Sequence, residues 1–147
     1  EGNTYDDNGE RAIFFARGVI ETIKKLNWVP DVIHLNGWMS SLIPIYLKNY
    51  YKSDYYFKDT KIVMSLYNEE NLLLEDDIKE KLKFDKISNF NAVESPDFQN
   101  VVIESMSYAD VVVKGDEFLE GELNKAFENT TAQKSEYLDE NSIKKLY

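Results

Sequence analysis

Asp31-Val-Ile-His-Leu35 and Lys61-Ile-Val-Met-Ser-Leu66 are the two stretches whose reading decides the fold. Each is a short apolar run rich in β-branched residues, with the length of a strand buried in a parallel sheet. Helical spacing surrounds them. Upstream, Glu10–Leu26 carries Ile13, Phe14, Ala16, Val19, Ile20, Ile23 and Leu26 against Arg17, Glu21, Lys24 and Lys25, with Asp7 or Asn8 placed to cap its start. Between the two runs, Trp38–Tyr51 sets Leu42, Ile45, Tyr46 and Tyr50 on one stripe. Pro44 inside that stripe means either a kink or a later helix start.

Downstream, residues 67–96 have the weakest pattern, with short helical turns expected at Leu72–Leu74 and Ile78–Leu82 and a loop over Ser88–Pro96. Asp97 can cap a helix from Phe98 to about Tyr108. Ala109–Val113 reads as a third strand, and Asp116–Glu128 as an amphipathic helix with Phe118, Leu119, Leu123 and Phe127 inward. The alternation of helix and strand predicts βαβ units, hence an α/β, Rossmann-like parallel sheet with helices on both faces. Residues 1–130 form that domain, and 131–147 read as a polar tail or helix, with Tyr137, Leu138, Ile143 and Leu146 to dock. Three strands are few where about five to six are usual, so either the start of the domain is missing or another chain completes the sheet. The chain begins at Glu1 rather than Met and reads as a piece of a longer protein.

With 147 residues there is room for one core. The 43% apolar and 30% charged content predicts a soluble globular chain rather than a disordered one. The absence of Cys excludes disulfides and a thiol nucleophile, and a single His, His34, excludes a His-based metal cage or triad within the chain. The net charge of −10 lies wholly in residues 66–147, which argues against a nucleic-acid partner and reads as a solvated surface. No apolar run approaches the roughly 20 residues that span a bilayer, so no membrane partner is expected.

Ligands of parallel α/β sheets sit beyond the carboxyl ends of the strands. The residues there are Asn36, Gly37, Trp38 and Met39, then Tyr67, Asn68 and Glu69, then Lys114, Gly115 and Asp116. His34 and Trp38 suit ligand contact less well than structural roles, His34 satisfying a loop group and Trp38 packing in the core. Asn68 is the stronger candidate. The Tyr50–Phe57 cluster reads as loop packing rather than a ligand-stacking platform. Glu69, Glu70, Asp76 and Asp77 lack the spacing of a Ca²⁺ loop.

Several blocks then resemble one family. Tyr5-Asp-Asp-Asn-Gly-Glu-Arg11, followed by Phe14-Phe15-Ala16-Arg17, resembles the Y-x-D-N-x-x-R-F-x-F-F-x-R block of the bacterial starch and glycogen synthases. Trp28-Val-Pro-Asp-Val-Ile-His34 is similar to their W-x-P-D-I-I-H, and Trp38 to Leu47 to W-H-T-A-L-V-P-L-Y-L. Asn100 with Tyr108-Ala-Asp110 is similar to their N-x-x-K-x-G-x-x-Y-A-D. The resemblance covers roughly residues 5–120. It implies part of the N-terminal domain of a GT-B glycosyltransferase. Such an enzyme moves glucose from ADP-glucose (UDP-glucose in some relatives) to an α-1,4-glucan, needs no metal or other cofactor, and works in the cytoplasm. The implied partners are the sugar nucleotide, the α-glucan and the remainder of its own chain.

The resemblance also implies substrate-binding roles for Asp6, Asn8 and Arg11 at the cleft mouth, and for Asn36, Trp38, Asn68 and Asp116 at the strand ends. Catalytic positions are not filled as in the family. Gly37 stands where the family has Asp, Met39 and Tyr67 where it has His, and Ile103 where it has Lys. The fragment is therefore expected to be inactive alone. A degenerate domain that binds sugar, glucan or a partner without catalysis is the alternative.

Overall fold

The computed structural model describes residues 5–69, 74, 77–87 and 97–138. The first helix, α1 (Asn8–Lys25), buries Ala12, Ala16, Ile20 and Ile23, one residue per turn along a single line. Phe14 and Leu26, expected inward, lie off that line and are 81% and 69% exposed. Asp7 holds the cap position without a side-chain cap bond, because its carboxylate instead takes Arg11 Nε at 2.6 Å.

Strand β1 (Val32–Asn36) leads into a single 3-10 turn at Trp38–Ser40 and then α2 (Ile43–Lys48). Pro44 sits in the first turn of α2, where its missing N–H costs no helical bond. The later start, not the kink, is the outcome. Strand β2 (Lys61–Leu66) occupies the predicted residues and buries Ile62, Met64 and Leu66 in alternation. Helix α3 (Ile78–Phe84) replaces the short turn expected there. Leu72 and Leu73, like Ser88–Pro96, lie outside the described residues.

Helix α4 (Phe98–Met106) opens as predicted on Asp97, whose Oδ1 accepts the Asn100 N–H at 2.8 Å. Strand β3 (Val111–Lys114) follows, then α5 (Gly121–Asn129). The last helix starts five residues later than its composition suggests, because Asp116 is engaged elsewhere and residues 116–120 form a loop. Phe118 is carried outward by that loop and is 74% exposed, while Leu119, Leu123 and Phe127 are buried as expected.

A fourth strand, β4 (Gln133–Ser135), lies beyond the predicted domain end at 130. It pairs parallel with β3, Val112 facing Lys134, so part of the expected polar tail completes the sheet. Tyr137 and Leu138 are not docked but 42% exposed each, and Ile143 and Leu146 lie outside the described residues.

All pairings are parallel and the order is β1-β2-β3-β4. Helices α1, α2, α4 and α5 touch in that order. Among the described residues, Leu35, Ile62 and Met64 pack in one cluster with residues of α1, α2 and α4, and Leu66 and Val112 in a second with residues of α4 and α5. The alternate strand positions are more open. Val32 is 52% exposed, and His34 uses its Nε2 to meet Ser65 Oγ at 2.8 Å across the strands rather than a loop group.

Candidate functional site

Beyond the carboxyl ends of β1, β2 and β3 the chain leaves a crevice of about 660 Å³. Trp38 comes from the turn after β1, Tyr67, Asn68 and Glu69 from the loop after β2, and Phe98, Gln99 and Val102 from α4. Glu120, Gly121, Glu122 and Leu123 close it from the start of α5. The half-buried Trp38 ring gives one wall an aromatic face and is backed by the buried Phe98 ring, 4.5 Å away between centroids.

The three strand-end loops are tied to one another. Tyr67 Oη donates to Asn36 Oδ1 at 3.1 Å, linking the first two. The Tyr67 ring lies against Gly115, where an added Cβ would stand 2.3 Å from Cε1, so only glycine leaves room for it. Asp116 Oδ2 accepts the Asn68 N–H at 2.6 Å, linking the second and third. Asn68 Nδ2 donates to the Phe118 carbonyl at 2.6 Å, and its Oδ1 accepts the Glu120 N–H at 2.9 Å. The Asn68 amide thus clamps the loop into α5, which makes it first a builder of the crevice wall.

Gly37 has φ 76° and ψ 164°, a region that only glycine occupies readily. Glu69 reaches across to it. A Cβ at Gly37 would be 3.1 Å from Glu69 Oε1, and the Trp38 N–H donates to the same carboxylate. Although Glu69 is exposed, partial desolvation by its neighbours, partly offset by that N–H and reinforced by Asp116, pushes its carboxyl above the ordinary range.

Of the residues singled out in the sequence, the structure gathers Asn36, Gly37, Trp38, Tyr67, Asn68 and Asp116 at this edge. Met39 does not join them. It borders a separate concavity with Glu10, Arg11, Phe14 and Phe15. Arg11 is spent on Asp7 and stacks 4.3 Å over the Tyr5 ring. Asn8 is buried in the first turn of α1, and Asp6 is exposed beside it. None of Asp6, Asn8 and Arg11 lines the crevice. Glu69 stood in the strand-end set without an assigned role, and Phe98 and the Glu120–Glu122 lip were not foreseen as site residues. The capping Asp97, which fixes where α4 begins, was the available signal for Phe98.

Sequential parallel strands, crossover helices and a crevice past the strand ends define a Rossmann-like α/β domain, here part of a GT-B fold. The chain belongs to the starch synthase catalytic domain family, whose model matches residues 1–133, and so to the glycosyltransferases. It is 46% identical over 67 residues to a glycogen synthase of Chlorobium phaeobacteroides, covering 46% of this chain and 14% of that one. It is 45% identical over 62 residues to a glycogen synthase of Clostridium perfringens (42% of this chain, 13% of that one). Over 62 residues it is 44% identical to a glycogen synthase of Thermotoga maritima (42% and 13%). These alignments span about one seventh of the relatives' length. No solved structure matches. Among the described residues no helix is long and apolar enough to cross a membrane.

Proposed function

We propose that the parent protein transfers glucose from ADP-glucose to the non-reducing end of an α-1,4-glucan, and that this chain supplies part of its acceptor-side domain. One observation carries the reading. The crevice combines an aromatic wall with carboxylate and amide groups, and no Lys or Arg is among the described residues lining it. Sugar hydroxyls donate to such acceptors and sugar C–H faces pack on aromatic rings, whereas a diphosphate needs cations.

Breaking the bond to the nucleoside diphosphate develops positive charge on the sugar and negative charge on the leaving group. Preorganised dipoles and cations lower that barrier, and each such group removed costs about 10²- to 10³-fold in rate. The crevice offers the sugar a carboxylate at Glu69 but, among the described residues lining it, no Lys or Arg for the leaving diphosphate. Turnover then requires a cationic partner domain, and the 147-residue chain is inactive alone.

The test is ADP release from ADP-glucose with a glucan acceptor. The full-length parent should release ADP, and the 147-residue chain none above background. Release by the chain alone would place the donor within this half and overturn the division of labour. The second reading, a sugar-binding domain without catalysis, draws on Gly37, Met39 and Tyr67 standing where the family carries Asp and His. An inactive full-length parent that still binds glucan would favour it.

A further inference from the structure

Residue 37 has no side chain, yet its backbone is not without a carboxylate. Glu69, from the neighbouring strand-end loop, brings Oε1 to within 3.1 Å of where a Cβ at Gly37 would stand. A carboxylate offers about four acceptor sites, and the Trp38 N–H uses one. Glu69 also lines the crevice, beside the Trp38 ring that Phe98 backs from the core. Acceptor oxygens next to an aromatic wall match a sugar ring, whose hydroxyl edge donates while its C–H face packs.

We infer that Glu69 is the principal ligand-gripping group of this crevice, accepting hydroxyl hydrogens from a neutral sugar whose C–H face rests on Trp38. This rests on the reading of the crevice as a sugar site and goes further by naming its anchor and its selectivity. Glu69, Asp116, Glu120 and Glu122 all lie at or beside the crevice, so a phosphorylated ligand meets repulsion where an unphosphorylated glucan meets acceptors. The arrangement also explains why position 37 is glycine. Its backbone angles exclude other residues, and its side-chain space is held by Glu69.

The experiment is an NMR titration of the 147-residue chain and its Glu69→Gln variant with maltotriose, and separately with ADP-glucose. Gln keeps an oxygen for the Trp38 N–H but loses the charge. Maltotriose should bind the variant roughly tenfold more weakly than the unmutated chain, since charge-assisted hydrogen bonds are about twice as strong as neutral ones. In the unmutated chain the Glu69 Cδ resonance should move with maltotriose, a readout that needs no substitution. Equal maltotriose affinity in Glu69→Gln, with an unmoved Cδ resonance, would overturn the role of Glu69 while leaving the sugar site standing. Tighter binding of ADP-glucose than of maltotriose at this crevice would overturn the selectivity. No maltotriose binding by the unmutated chain would remove the sugar site itself, and this inference with it.

Discussion

Gly115 and Tyr67 form a tight fit at the strand ends, the ring occupying the space a side chain at 115 would need. The Tyr67 ring fills the space over the Gly115 backbone and fixes its hydroxyl on Asn36. Gly115→Ala must push the ring aside, because real Cβ contacts are never as short as 2.3 Å. The expected cost is about 1–3 kcal/mol, the usual range for overpacking, measured by urea unfolding. The Tyr67→Ala background should relieve most of it, and a full cost persisting there would show that the ring is not the obstacle. Gly37 carries a parallel lesson. An Asp placed at 37 would have to contend with both the backbone angles and the Glu69 carboxylate already in place.

Strand β3 is held in register at its start by Asp110, which accepts the Ile62 N–H and Lys61 Nζ, each at 2.9 Å. Burial would raise the Asp110 carboxyl, but Lys61 and the Ile62 N–H outweigh it and hold it below the usual carboxylate range. A lowered folded value means the stabilisation is complete above about pH 4, the unfolded value, and is lost as the pH falls through the folded one. Asp110→Asn should therefore be less stable by about 1–2 kcal/mol at pH 7. The gap to the unmutated chain should close below about pH 4, as followed by urea unfolding across pH. A gap unchanged between pH 7 and pH 3 would mean that the charge plays no part. The elements most legible in the sequence were those whose apolar pattern does the folding. β2 matches residue for residue, and α1 and α4 start within two residues of expectation. β4 was not legible because Gln133-Lys134-Ser135 is polar, and an edge strand needs backbone pairing rather than an apolar face. The start of α5 was misplaced because Asp116 has the composition of a cap, while its carboxylate is taken by the Asn68 N–H across the sheet.

For the molecule as a whole, the parallel order β1-β2-β3-β4 brings three loops distant in sequence to one edge, and the crevice lies there. The position of that edge could be read from the sequence, since it follows from strand direction alone. Its furnishing could not. Glu69 looked like one acid among several, and Asn68 like a free ligand group, until the fold set one against Gly37 and the other against the α5 loop. Another concavity, apolar and of about 700 Å³, lies between α1 and α3, flanked by Phe14 and Phe84 and far more oily than a sugar requires. The two sites make the central claim open to a single test, which is amide shift mapping of the 147-residue chain with maltohexaose. Shifts centred on Asn36, Trp38, Glu69 and Gly121 are the predicted result. Shifts confined to Phe14 and Phe84, or to the amino-terminal edge at Asp31, Lys61 and Asp110, would contradict a sugar site beyond the carboxyl ends of the strands.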